Sequence, residues 1–241
     1  MHCVLYLPLY FPYQIMYQDL KLILTEDGSH TIYLPEMNEH YHSVHGAISE
    51  SLHVYIRSGF SHHPARKVSI LEIGFGTGLN VLLTYKQARE EKRKVIYHSV
   101  DTFILPVNIT GHLNYDLLHE DINPGWLRMI HGLSWDTEHE ISEFFHLKKI
   151  LADIKKLDLT SKYDIVYFDA FGPDKQPDLW TDDIFSKIYE AMNSGSILTT
   201  YSSKGEVKRR FQQCGFMVEK IKGPPGKREM LRCTKRDQSI R

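Results

Sequence analysis

Leu71-Glu72-Ile73-Gly74-Phe75-Gly76-Thr77-Gly78-Leu79-Asn80 reads as a strand running straight into a glycine turn and then into a helix. Glycine tolerates positive φ and lets a ligand approach the backbone, and the helix start behind it offers free N–H groups. The glycines stand at alternate positions, unlike the G-x-G-x-x-G spacing of dinucleotide sites. From this turn outward, short β-branched runs alternate with longer amphipathic stretches, the pattern of βα units and a mainly parallel sheet. Strands are predicted at 68–73, 95–100, 147–151, 164–169, 196–200, 216–221 and 230–233. Helices are predicted at 79–92, within 111–129, at 182–192 and at 205–214. The expectation is a seven-stranded α/β sheet ending in an antiparallel hairpin.

Upstream, two apolar runs, 20–24 and 31–34, flank Asp27-Gly28, a hairpin turn dipeptide. A helix is predicted over 40–57 and a polar linker over 62–67. Residues 1–65 therefore read as a small N-terminal extension and residues 66–241 as the main domain. Residues 1–18 carry no Asp, Glu, Lys or Arg, but they lack a basic n-region, and Pro8 and Pro12 interrupt a stretch shorter than the ~20 residues a membrane span requires. An edge strand or docked aromatic arm is expected there, with Met16 as a candidate start.

The composition, 42% hydrophobic and 24% charged over 241 residues, excludes collagen-like, disordered and disulfide-scaffold classes. Three scattered cysteines fit a reducing, cytoplasmic compartment. The formal net charge is −1, yet Lys204 to Arg241 hold 12 Lys and Arg against 4 Asp and Glu, leaving 17 against 26 in residues 1–203. That basic segment suggests a polyanionic partner, because nucleic-acid affinity follows local phosphate contacts.

The glycine turn with its preceding acid resembles motif I of the class I, Rossmann-like S-adenosylmethionine-dependent methyltransferases. The resemblance implies a cofactor site of Glu72, Gly74, Phe75, Gly76, Gly78 and Asn80. Asp101, at the end of the second strand, fits the carboxylate that takes ribose hydroxyls, and Asp153, after the third, would sit beside the adenine. Acids that end successive parallel strands share the carboxyl edge of the sheet, where α/β proteins bind ligands.

Three further motifs narrow the resemblance. The fourth strand ends in Tyr167-Phe168-Asp169-Ala170-Phe171-Gly172-Pro173-Asp174-Lys175-Gln176-Pro177-Asp178-Leu179-Trp180. The fifth leads to Tyr201-Ser202-Ser203-Lys204-Gly205-Glu206-Val207-Lys208-Arg209-Arg210, and the terminal hairpin carries Gly226-Lys227-Arg228-Glu229. In this order they resemble the tRNA wobble-uridine 5-aminomethyl-2-thiouridine methyltransferase family. Asp101 stands where that family commonly has Glu. The resemblance implies S-adenosyl-L-methionine as cofactor and methylation of the exocyclic amine of 5-aminomethyl(-2-thio)uridine at the anticodon wobble position. It also implies that Tyr41 and Glu50 help cover the cofactor. The family's flavin-dependent oxidase half has no room in 241 residues, so the expectation is a stand-alone methyltransferase supplied with its aminomethyl substrate by a separate enzyme.

Most alkyl amines are protonated at neutral pH, and a protonated amine has no lone pair to attack with. Asp169 is the candidate catalytic residue, orienting the amine and helping to remove its proton. Phe171 and Trp180 are candidates to wall or stack on the uracil. Lys175, Lys204, Arg209, Arg210, Lys227 and Arg228 are candidates for phosphate contacts around the anticodon stem-loop. His40, His42 and His45 lack the Cys or carboxylate partners of a zinc site, so no metal is expected. Two rival readings use the same fold: an aminopropyltransferase of the polyamine-synthase type, and a non-catalytic RNA-binding module.

Overall fold

The structure, a computed structural model, describes residues 19–236. The aromatic arm expected over residues 1–18 and the candidate start at Met16 lie outside the described residues.

An eight-stranded mixed sheet forms the body. Its strands are β4 (Lys67–Ile73), β5 (Lys94–Asp101), β6 (Glu138–Ser142), β7 (Phe145–Leu151), β8 (Tyr163–Phe168), β9 (Met192–Thr200), β10 (Phe216–Lys222) and β11 (Glu229–Lys235). They lie in the order β10-β11-β9-β8-β4-β5-β7-β6. The five central strands are parallel, β10 and β11 form the terminal antiparallel hairpin, and β11 runs antiparallel to β9. Seven strands answer the sequence reading. The eighth, β6, is an antiparallel edge strand with a register shift between Glu140 and Ser142. Its sequence, EHEIS, is too polar to announce a strand, as suits an edge with one solvated face.

Three short strands precede the body as a separate antiparallel sheet: β1 (Lys21–Leu24), β2 (His30–Leu34) and β3 (Glu39–His40). The helix expected over 40–57 begins later and runs further. Residues 40–46 close β3 and turn back, after which α1 (Ala47–Ser51) leads into a wider π-helical segment, Leu52–Phe60. There Ser61 N–H reaches Ile56 O, a five-residue step. Such windings are rare and gather at functional sites. This segment lies across the sheet, and a Cβ on Gly59 would meet Tyr167 and Thr199 at 3.2–3.4 Å.

The body's helices are α2 (Leu79–Glu91), α3 (Val107–Thr110), α4 (Trp126–Gly132), α5 (Asp182–Ala191) and α6 (Gly205–Gln213). The helix expected within 111–129 is instead a 3₁₀ turn, Tyr115–Leu118, followed by α4. Pro124 and Gly125 explain the break, because neither continues a helix readily. α5 opens on Thr181, whose hydroxyl accepts from Ile184 N–H, with Asp182 and Asp183 in the first turn, a favourable start for a helix dipole.

β4 is the chain's topological switch. β5 lies on one side of it and β8 on the other, so the crossovers depart in opposite directions and leave a crevice at the carboxyl ends of β4 and β8. An aromatic cluster of Phe168, Trp180, Phe185, Phe211 and Phe216 packs one face beside it, with Phe185 stacked on Phe211 at 4.0 Å between centroids. Because Phe168 is fully buried and immediately precedes the loop at the crevice, Phe168→Ala is expected to lower unfolding free energy by about 3–5 kcal/mol, measured by denaturant titration.

Candidate active site

β4 and β8 pair in parallel with Ile73 opposite Phe168. Asp169 N–H continues the ladder by donating to Ile73 O at 3.0 Å. That register presses Gly74 against Asp169: a Cβ on Gly74, which has φ +98°, would lie 2.6 Å from the Asp169 carbonyl oxygen. Only glycine serves here, for reasons of both conformation and space.

The crevice opens as a cavity of about 470 Å³, the size of a nucleoside-scale ligand site. It gathers Tyr41, Glu50, Gly74, Phe75, Gly76, Asn80, Asp101, Asp153, Asp169, Phe171 and Lys227 from the residues predicted by sequence. Gly78 and Glu72 stand behind this wall. Gly78, in left-handed conformation, is the N-cap of α2, and Glu72 is wholly buried in β4.

The acids differ in their surroundings. Glu72 accepts from Ser99 Oγ at 2.5 Å, and burial pushes its pKa up to about 8, against the hydrogen bond from Ser99. Asp101 accepts from the N–H groups of Gly76 and Phe103, each at 3.0 Å, and burial again raises its pKa. A carboxylate offers about four lone-pair sites, so a diol can still be held. Asp153 caps its own turn by accepting from Lys155 N–H at 2.9 Å while lining the cavity.

Asp169 is held at both oxygens. Tyr55 O–H donates to Oδ1 at 2.5 Å and Asn80 Nδ2 donates to Oδ2 at 2.7 Å. Burial lifts its pKa to about 7, while the Tyr55 and Asn80 bonds and the Lys227 charge act in the opposite direction. Above it Glu50 accepts from Ser43 N–H at 2.8 Å and from Lys227 Nζ at 2.9 Å. The Lys227 ammonium also lies 4.0 Å from the centroid of Tyr201, whose hydroxyl donates to Ala170 O. Tyr41 packs over the turn, 3.1 Å from where a Gly76 Cβ would lie, and edge-on to Phe171.

These residues suit the cofactor expected from the sequence. Asn80 lines the cavity, and its buried Oδ1 has no hydrogen-bond partner among the described residues. That leaves an acceptor for a ligand ammonium beside carboxylates for a ribose. Phe75, edge-on to His131 and Trp135 at 5.2 and 5.5 Å, gives the cavity an apolar wall.

Several substrate candidates stand elsewhere. Trp180 does not face the cavity: it is 3% exposed, its Nε1 donates to Phe171 O, and its ring abuts Phe168. Its role is to hold the Phe171 loop, which corrects the expectation of stacking on a base. Lys175 Nζ donates to Met37 O and so ties the loop after β8 to the N-terminal sheet. Lys204 pairs with Asp174, and Arg210 with Glu206 and Asp182. Arg209 and Arg228 are exposed. Of the histidines, His42 bonds Thr77 Oγ1 at 2.7 Å, burial lowering its pKa to about 4, while His45 pairs with Glu26 and His40 packs against Tyr33.

Sequence reasoning missed Tyr55 and Tyr201. Tyr55 sits in apolar helical phase and reads as core; only the π winding places its hydroxyl on Asp169.

A family profile described as S-adenosyl-L-methionine-dependent methyltransferase matches residues 116–236. The chain is 30% identical to the tRNA 5-methylaminomethyl-2-thiouridine biosynthesis bifunctional protein MnmC of Burkholderia multivorans over 236 residues, covering 87% of this chain and 34% of that protein. It thus spans about a third of the length of the curated relatives it matches. The crystal structure of MnmC2 from Aquifex aeolicus superposes with a TM-score of 0.72 at 30% identity, covering 90% of this chain and 70% of that one. Spermidine synthase from Thermotoga maritima shares the fold at a TM-score of 0.58 and 11% identity, over 90% of this chain and 68% of that one.

The burial of Glu72 carries a stability consequence. Its folded pKa, about 8, exceeds the ordinary 4.5, so the folded state holds the extra proton between those values. Its contribution is full below about pH 4.5 and is lost as pH rises through about 8. Glu72→Gln, which cannot ionise, is expected to gain in melting temperature relative to wild type from pH 5 to pH 8.5. Parallel curves across that range would show that Glu72 does not titrate there.

Proposed function

We propose a reaction from one premise: the chain belongs to the S-adenosyl-L-methionine-dependent methyltransferases. The acceptor is the exocyclic amine of 5-aminomethyl(-2-thio)uridine at the tRNA wobble position, and the product is the 5-methylaminomethyl nucleoside. The observation that carries this reading is Asp169, a carboxylate on the cavity wall fixed at both oxygens beside the glycine turn. The role of the MnmC relatives in 5-methylaminomethyl-2-thiouridine biosynthesis supports the choice of substrate.

S-adenosyl-L-methionine, when bound, supplies an electrophilic methyl group on a sulfonium. Gly74, Phe75, Gly76, Asn80, Asp101 and Asp153 would hold it, with Glu72 and Gly78 supporting the turn from behind, Tyr41 as cover and Glu50 holding the Lys227 side of the wall. Asp169 then has two tasks: its free lone pairs orient the amine, and its carboxylate accepts the proton the amine must lose. A pKa of about 7 lets it take that proton near neutrality and return it to solvent, the match between pKa and working pH that general bases require. Tyr55 and Asn80 prevent the carboxylate from rotating, so its remaining acceptor sites keep one direction. Phe171, edge-on to Tyr41, forms an apolar wall for the uracil.

Methyl transfer cannot install the amine, so a separate active site must make the aminomethyl group first. Action on tRNA would place the protein in the cytoplasm; no helix among the described residues is long and apolar enough to cross a membrane.

The direct test is incubation with methyl-labelled S-adenosyl-L-methionine and tRNA bearing 5-aminomethyluridine. Methyl label in tRNA is expected; a parallel incubation of putrescine with decarboxylated S-adenosylmethionine labelled in its aminopropyl group tests the rival, and label there without label in tRNA would favour aminopropyl transfer. Label in neither would remove the catalytic reading. Asp169→Asn is expected to lower kcat at least a hundredfold with cofactor Kd changed less than threefold, measured by calorimetry and single-turnover kinetics. Equal loss of both would make Asp169 structural.

Tyr55→Phe probes the same carboxylate through pH. A hydrogen bond to the charged form lowers a pKa, so its removal should raise that of Asp169. The rising limb of kcat/KM, expected near pH 7 in the wild type, should move to higher pH in Tyr55→Phe. An unmoved limb would assign it to another group.

A further inference from the structure

The ion pairs leave a remainder of unpaired cations. On the terminal hairpin Lys220 pairs with Glu229 and Arg232 with Glu219, and Lys227 is turned onto Glu50. Arg57 and Lys222 have no carboxylate partner among the described residues, and both are exposed. They line one open groove together with His53 and the loop Gly223-Pro224-Pro225-Gly226. His53 joins the two sides, its Nε2 meeting Lys222 O at 2.7 Å.

The groove is not remote from the site. Lys227 lines both it and the cavity that contains Asp169. The segment Leu52–Phe60 likewise serves both, since Tyr55 holds Asp169 while His53 and Arg57 face the groove. The loop is seated on the N-terminal segment, for a Cβ on Gly226 would lie 2.3 Å from the His45 ring. Two exposed, uncompensated cations lining one groove form a receptor for a phosphate, which they position without reading sequence.

Nucleotide geometry selects which phosphate. In the anti conformation of a pyrimidine nucleotide, the C5–C6 edge faces the nucleotide's own 5′-phosphate. An amine on a C5 arm that reaches Asp169 therefore brings that phosphate to the same side of the base. We propose that the Arg57–Lys222 groove holds the phosphate on the 5′ side of the target uridine, so that the nucleotide is gripped at its amine and its phosphate with Lys227 between. This rests on the reaction proposed above, and it adds Arg57 and Lys222 to residues the sequence did not mark.

The test uses the full chain and an anticodon stem-loop RNA carrying 5-aminomethyluridine, made with either an ordinary phosphate or an uncharged methylphosphonate on the 5′ side of that nucleoside. With wild type, the neutral linkage is expected to lower kcat/KM about tenfold, the size of one charge-assisted contact, and to flatten the log–log salt dependence by about 0.7. Arg57→Ala should show the same loss on the ordinary RNA and little further loss on the neutral one. Arg57→Lys should recover part of the loss, and Lys222→Ala should repeat the Arg57→Ala pattern. Equal use of the two RNAs by wild type, or losses from linkage and variant that multiply, would overturn the assignment while leaving the reaction standing. If wild type methylates neither RNA, the reaction falls and this inference falls with it.

Discussion

The parallel pairing of β4 with β8 is the constraint on which the site depends. With Ile73 opposite Phe168, the next residues of both strands leave the sheet side by side, and the glycine turn meets Asp169 backbone to backbone. Neither residue could shift alone. A slip of one residue would reverse the faces of β8, sending Phe168 out of its aromatic cluster and Tyr167 out of the opposite core. Hydrophobic burial on both faces thus fixes the position of a carboxylate that itself contributes nothing to that burial.

A second constraint comes from outside the sheet. Tyr55 reaches Asp169 from the π-helical segment, and Glu50, from the helix just before it, holds Lys227 of the terminal hairpin. Residues far apart in the chain therefore meet above one carboxylate, and the N-terminal extension forms part of the wall. Its anchors are specific: Lys175 to Met37 O, His42 to Thr77 and Tyr41 over Gly76.

The legible part of this arrangement follows from what periodicity encodes. Strand and helix periods placed the parallel core, and acids at strand ends identified its carboxyl edge, so Asp101, Asp153 and Asp169 could be expected at one rim before any coordinates. Side-chain direction is not encoded that way. Trp180 lies one residue from Leu179, which lines the cavity, yet Trp180 turns into the core because the 3₁₀ turn Pro177–Leu179 rotates it there. Tyr55 was illegible because its apolar helical phase reads as core and the local π winding that turns its hydroxyl onto Asp169 leaves no mark in the sequence, and Arg57 because an isolated exposed arginine resembles any solvated charge. β6 was hidden by its polarity.

The electrostatics of the cavity favour a cationic occupant. Burial raises both Asp101 and Asp169, which line the cavity, because each carboxylate there gives up hydration that its neighbours only partly replace. Lys227 supplies some positive charge for Asp169, but Glu50 holds its ammonium to one side. The sulfonium and α-ammonium of S-adenosyl-L-methionine, and the amine of the proposed substrate, would provide positive charge in stages. The acids are then stabilised by what they bind, and the same desolvation that raises their pKa values strengthens each contact, because a charge pair shielded from water attracts more strongly. The gathering of Asp101, Asp153 and Asp169 on one cavity wall is thus a property of the fold, invisible in a chain whose formal net charge is −1.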